Sequence, residues 1–421
     1  MTRKKAGTKS RSKATRVMPA SPSAPRSRTG PTALKDYAPA PDDRFTFGLW
    51  TVGNTGRDPF GEPTRPRLEP WEIVDLLGEV GGVYGVNFHD NDLIPNDATD
   101  TEAISIKKQF RAALRRNALR VAMATTNLFT DPVFRDGAFT SNDADVRAYA
   151  VHKTMRAMDL GAEFGAKVYV FWGGREGAEV DAARDPIVAE QRFREALDFL
   201  CAYVREKKYP FRIALEAKPN EPRSHLYFPT TGHYLALIPT LQFPDMVGVN
   251  PEVAHEHMAG LSMHHVVAQA LSARKLFHID LNDQEFGRYD QDFRFGSVNI
   301  KHAFFLVKIL TDHRYQGMKH FDSHAYRTAD RDDVIAFARG SMHTYKVLEQ
   351  KVARWHADPV IRELINQIPR GARKWTAAIR SWSTASAARI SSASFDPAEL
   401  AGRPLPYEAL DQRTMDILFG L

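Results

Sequence analysis

The 421-residue sequence contains a single cysteine, Cys201. That excludes a disulfide within the chain and any cysteine-rich zinc or iron–sulfur site, and it favours a reducing compartment, here the cytoplasm. Cys201 lies in the apolar stretch ALDFLCAYV and reads as a small buried helix residue, not a reactive thiol. No apolar run approaches the roughly 20 residues that a membrane-spanning helix requires, and no apolar segment follows the basic N-terminus, so neither a span nor a secretory signal is expected. A glycine-rich dinucleotide fingerprint is absent after the first β-prone run. Positive charge is also scarce where a globular nucleic-acid binder would need it. The formal net charge is +6, but residues 1–40 hold ten Lys/Arg and one acid, leaving 47 bases and 50 acids for the rest. That tail is rich in Ser, Pro and Lys/Arg with almost no large apolar residues, so it is expected to be disordered. It would bind polyanions only weakly, resembles a transit segment in composition, or precedes a true start at Met18.

What is present is an alternation of two textures. Short β-prone runs occur at 45–52, 85–89, 120–129, 167–173, 212–217, 247–253, 276–281 and 319–324, separated by segments with apolar residues at three- and four-residue spacing, such as AEQRFREALDFLCAYVREKK. Eight strand–helix units in about 300 residues point to an α/β fold, a (β/α)8 TIM barrel spanning 41–345, more than to an open doubly wound sheet. Residues 346–421 turn Ala/Ser/Pro-rich and hold too few apolar residues for a core of their own. They read as a helical and extended arm for subunit contacts, with 369–392 its least predictable part.

The stretch HIDLNDQEFGRYDQD, His278 to Asp292, sets five carboxylates against one cation, Arg288. Alone, it reads as an acidic surface loop. Position changes that reading, because sites in such barrels form at the C-terminal ends of the strands. His89 and Asp92 follow the second run; Glu216 and Lys218 end the fifth; Glu252 and His255 follow the sixth. Asp280 sits in the seventh, with Asp290 and Asp292 in the loop after it, and Asp322 in the eighth. Each has a plain alternative as a helix cap or a packing residue. Together, uncompensated carboxylates in one cleft would cost several kcal/mol per ion, so a divalent cation is expected. Carboxylates with one histidine suit Mg2+, Mn2+ or Co2+, and six carboxylates exceed what one octahedral ion takes, which implies two ions sharing an acid. Glu252-x-x-His255 places both side chains on one face of a helical turn; His257 competes with His255, and spacing does not choose between them.

In these residues the chain resembles the xylose isomerase family. The likeness runs from about Asp42 to His343 and returns in YEALDQRTMDILFG, carried by RFTFGLWTVGNTGRDPFG, FHDNDLIP, MATTNLF, WGGREG, EAKPNEPR, GVNPEVAHE, KLFHIDLN, YDQDFRFG and HFD in the family's order. The resemblance implies one metal on Glu216, Glu252, Asp280 and Asp322 and a second on Glu252, His255, Asp290 and Asp292, which selects His255 over His257. It implies that His89, oriented by Asp92, acts in sugar ring opening and that Lys218 hydrogen-bonds near O1. Trp50, Trp172, Phe129 and Thr125 would surround the sugar, with His324 beside it and Phe60 reaching into a partner subunit's site. The implied activity is a metal-dependent interconversion of D-xylose with D-xylulose, or D-glucose with D-fructose, by a 1,2-hydride shift in a homotetramer. Departures are His324 where many members have lysine, Asn54 for a frequent tryptophan, Ala217 for a proline and Asn91 for an aspartate; none removes a metal ligand. Two other readings compete: a divalent-metal barrel acting as a sugar epimerase, and a polyanion-binding protein acting through its tail.

Overall fold

Seven parallel strands form the centre of the molecule: β1 (Phe45–Gly48), β2 (Gly85–His89), β3 (Arg120–Thr125), β4 (Val168–Trp172), β5 (Arg212–Glu216), β6 (Val247–Val249) and β7 (Lys319–Phe321). They pair in the order β6-β5-β4-β3-β2-β1-β7. Residues 276–281 bridge the remaining gap. Val249 pairs with Leu276, Glu252 with Asp280, and Asp280 with His320, all parallel, which closes the sheet into a (β/α)8 TIM barrel. All eight β-prone runs therefore enter the barrel. The seventh does so without a continuous ladder, although its backbone still bonds both neighbours, Phe277 N to Val249 O and Leu281 N to His320 O. Strands buried on both faces read as unbroken apolar runs, as in the fully buried FTFG of β1. Gly85 is required where β2 meets β3, because a Cβ there would lie 2.5 Å from the Arg120 carbonyl oxygen.

The computed structural model describes residues 37–371 and 373–421. The basic segment 1–36 lies outside them. Tyr37, counted within the expected tail, sets its ring 5.7 Å from that of His343. Residues 37–421 form one compact unit.

Eight main helices follow the strands: α1 (Pro70–Val80), α2 (Asp100–Arg116), α3 (Ala144–Phe164), α4 (Pro186–Glu206), α5 (Thr231–Leu237), α6 (Met263–Ser272), α7 (Ile300–Asp312) and α8 (Arg331–Ala357). Their starts are written locally: Asp143, Asp185, Asn299 and Asp330 each accept a backbone N–H of the first turn. Cys201 is fully buried on α4, and burial pushes its thiol up to about 12. No helix among the described residues is long and apolar enough to cross a membrane.

The boundary expected at 345 falls inside the 27-residue α8, which runs on to Ala357. The stretch 373–391, featureless in sequence, forms helices Arg373–Arg380 and Thr384–Ser391, the second capped by Ser383. Helix Tyr407–Phe419 returns to α8, where Trp355 Nε1 donates to Thr414 Oγ1 at 3.0 Å.

Candidate metal centre and substrate cleft

The strand ends bring their polar residues to one mouth. Glu216 closes β5, Glu252 and His255 follow β6, and Asp280 lies in the 276–281 segment. Asp290 and Asp292 reach in from the loop after that segment, and Asp322 follows β7. Three groups place ligand atoms within 4.8 Å of one another: Glu216, Glu252 and His255; Asp280, His320 and Asp322; Glu252, Asp290 and Asp292. Glu252 belongs to two of them. His255 Nδ1 lies 3.2 Å from Glu252 Oε2 and 3.6 Å from Glu216 Oε1, while its Nε2 lies 3.2 Å from Asp290 Oδ2. All seven residues expected from sequence fall in these groups, with Asp280 and Asp322 joined to His320 in one that shares no member with the other two. His257 points elsewhere, stacking at 4.5 Å on Phe286, and burial lowers its pKa to about 4.

The electrostatics are those of a site short of positive charge. Burial, then the charges of Asp280 and Asp322, push the Glu216 carboxyl well above its usual range. Burial with Asp290 and Asp292 does the same to Glu252, and burial with Asp290 and Asp322 to Asp292. Asp322 is raised chiefly by burial. Two acids go the other way. Burial opposes ionisation of Asp280, but His320 and His278 outweigh it; at Asp290, His255 and Lys218 do so. Asp290 Oδ1 and His255 Nδ1 are buried without a hydrogen-bond partner. Hard oxygen donors, one imidazole and orphaned ligand atoms fit a divalent cation.

Beside the acids stands an aromatic wall. Trp50 and His89 have ring centroids 4.4 Å apart, His89 and Phe129 5.6 Å, and Phe129 and Trp172 4.6 Å. Gly48 makes room for the first, since a Cβ there would sit 2.6 Å from the Trp50 ring. Trp50 Nε1 donates to Asp322 Oδ1 at 2.8 Å, which ties wall to carboxylates. His89 Nδ1 meets Asp92 Oδ2 at 2.8 Å, and the same oxygen accepts the His89 backbone N–H at 3.0 Å. That arrangement keeps the proton on Nδ1, donated to Asp92, and leaves Nε2 for a substrate. Burial opposes the charged imidazole, yet Asp92 prevails and raises the His89 pKa. Lys218 Nζ donates to Asp290 Oδ2 at 2.7 Å, and that carboxylate raises its pKa against the effect of burial. Thr125 is buried in register with His89.

Two expected substrate contacts stand off the aromatic wall: Phe60, expected in a partner's site, and His324, whose backbone N–H donates to the Asp292 carbonyl oxygen at 3.1 Å. Phe60 is fully exposed and adds nothing to its own chain's cleft. His324 turns Nδ1 to the Ala325 carbonyl at 3.2 Å and lines a separate cavity of about 280 Å³ with Arg294, Tyr326 and Phe337. Sequence reasoning missed His278 and His320, both within 3.1 Å of Asp280 Oδ1 through Nδ1. The signal was there: His-x-Asp occurs at 278–280 and at 320–322, and residues two apart on extended chain share a side. Asn250 and Asn282, hydrogen-bonded to four of the acids, left no such trace.

Comparison with known proteins agrees with this geometry. A profile described as "Xylose isomerase-like TIM barrel" matches residues 75–342. The chain is 55% identical over 329 residues to the xylose isomerase of Thermus thermophilus, covering 78% of this chain and 85% of that one. Against the xylose isomerase of Thermus caldophilus the identity is 54% over the same coverage. Among solved structures, D-psicose 3-epimerase from Clostridium cellulolyticum H10 superposes with a TM-score of 0.53 at 11% identity, covering 73% of this chain and 99% of that one, a likeness of fold alone.

Proposed function

The chain belongs to the xylose isomerase family and is an aldose–ketose isomerase, and we propose that it interconverts D-xylose with D-xylulose, and D-glucose with D-fructose, using two divalent cations. The observation that carries this reading is the convergence of seven ligand residues from four successive strand ends. Glu216, Glu252, Asp280 and Asp322 would hold one Mg2+, Mn2+ or Co2+, and Glu252, His255, Asp290 and Asp292 the other. Such ions supply Lewis-acid polarisation of the sugar oxygens at C1 and C2. The chain's own residues do the rest. His89, its tautomer held by Asp92, takes the O1 proton as C1=O1 forms and the C1–O5 bond breaks, and Nε2 returns that proton to the departing O5. Lys218 donates to O1 of the open chain. Trp50, Phe129 and Trp172 exclude water, so hydrogen passes between C1 and C2 without exchange. The fully exposed Phe60 and the arm's Trp382, 84% exposed, favour a homotetramer in which neighbours cover both. Such an enzyme acts in the cytoplasm.

Aldose conversion after chelation is expected to fall to background, and separate addition of Mg2+, Mn2+ or Co2+ to restore it. A product epimeric at C3 instead of a ketose, or activity indifferent to chelator, would sink the reading. A second expectation concerns the acid. Because Asp92 raises the His89 pKa, Asp92→Asn should move the acid-side midpoint of the rate–pH profile to lower pH. It should also slow conversion of the cyclic sugar more than that of the open-chain form. An unmoved midpoint with equal losses on both forms would remove His89 from ring opening.

A further inference from the structure

Two asparagines are buried among the carboxylates, and both are completely shielded from solvent. Asn250 follows β6; its Nδ2 donates to Glu216 Oε2 at 3.0 Å and to Asp280 Oδ2 at 2.7 Å. Its Oδ1 lies 2.9 Å from His278 Nδ1. Both amide hydrogens and the carbonyl are thus used, and the amide cannot flip without turning oxygen against two carboxylates. Asn282 follows the 276–281 segment. Its Nδ2 lies 2.7 Å from Glu252 Oε1, 2.9 Å from Asp292 Oδ1 and 2.8 Å from the Asp322 carbonyl oxygen, three acceptors for two hydrogens. Its Oδ1 accepts the Ala254 backbone N–H at 2.8 Å, which fixes its orientation too.

The two amides divide the acids between them. Asn250 joins Glu216 to Asp280, two acids assigned above to the first cation alone. Asn282 joins Asp292, assigned to the second, to Glu252, which is shared. An amide is suited to this work because it restrains mutually repelling carboxylates without carrying charge: a lysine would compete with the cation, and an aspartate would add to the repulsion. Resting on the two-cation reading, we infer that Asn250 and Asn282 are positioning residues with unequal reach, Asn250 presetting one cation subsite and Asn282 both.

The test is Co2+ binding to the metal-stripped full chain, followed by calorimetry and by the visible absorption of bound Co2+. Partners around a metal site typically account for about 10–100-fold in affinity. Asn250→Ala is expected to weaken one of two Co2+ sites by about that factor, change one absorption component, and leave the other site within about threefold. Asn282→Ala is expected to weaken both. The uncharged and nearly isosteric Asn250→Leu and Asn282→Leu variants carry the same comparison if an alanine variant fails to fold, with the same pattern of one site against two. Equal weakening of both sites by Asn250→Ala, or a site left unchanged by Asn282→Ala, would overturn the inference while the two-cation reading stands. A wild-type chain that takes up fewer than two Co2+ would overturn that reading and the inference with it.

Discussion

Glu252→Gln is expected to abolish turnover, lowering it by about 10³-fold or more. Glu252 is the acid common to two of the three ligand groups, and it sits 3.2 Å from His255 Nδ1. A neutral amide there withdraws one charge from both proposed ions at once. Losing about 4 kcal/mol of charge stabilisation in the transition state corresponds to about a thousandfold in rate. The variant should still fold, because glutamine keeps an oxygen to accept from Asn282 Nδ2. It should even be sturdier without metal. In the stripped wild type Glu252 is a buried carboxyl pushed well up by burial and by Asp290 and Asp292. Replacing it removes a buried carboxyl that the stripped fold must either protonate or hold charged against its neighbours, so the stripped variant is expected to melt a few degrees above the stripped parent. Calorimetric melting and a sugar-conversion assay on the same preparations check both halves. Turnover above about a tenth of the parent's would remove Glu252 from its shared position.

Lys218→Met is expected to be nearly as severe, for a different reason. Lys218 is 6% exposed and is bonded to Asp290 Oδ2 at 2.7 Å, with Glu221 Oε2 at 3.4 Å. Methionine fills similar volume but leaves Asp290 without its cation, and stripping one partner from a buried pair costs about 3–5 kcal/mol. Loss of the donor aimed at O1 lowers turnover by about 10²–10³-fold on the scale of other oxyanion donors. Melting of the variant with and without Mn2+ reads the first effect and turnover the second: an ion bound by Asp290 should restore much of the lost stability and none of the lost turnover. Lys218→Arg should not restore activity, since a planar fork cannot replace a point donor packed 5.2 Å from the Trp172 ring. Turnover near the parent's in the Mn2+-loaded Lys218→Met variant would mean that Lys218 serves only to neutralise Asp290.

These expectations were legible in sequence to different depths. The barrel could be read because each strand is buried on both faces, so FTFG, RVAMAT and VYVFW stand out as apolar runs whatever surrounds them. The acids could be read because they fall where those runs stop. Spacing did not choose His255 over His257; the resemblance did, and helix Val253–Met258, which carries residues two apart to opposite sides, agrees with it. Asn250 and Asn282 were invisible for a plain reason: an amide acquires its role from which carboxylates the loops bring to it, and those partners lie 10 to 40 positions away. The arm helices at 373–391 escaped notice because few of their apolar residues face a core; Trp382 and Ile379 stay exposed.

The seam at residues 276–281 has a thermodynamic corollary. This part of the hoop is fastened by scattered pairings, and Asp280, at its centre, touches both neighbouring strands through single bridges. A hoop that the proposed ions tighten at that point would be a latch whose key is dissolved in the medium. Heat tolerance of such a chain is then a property shared with its solution, to be raised or lowered by ion supply without altering one residue.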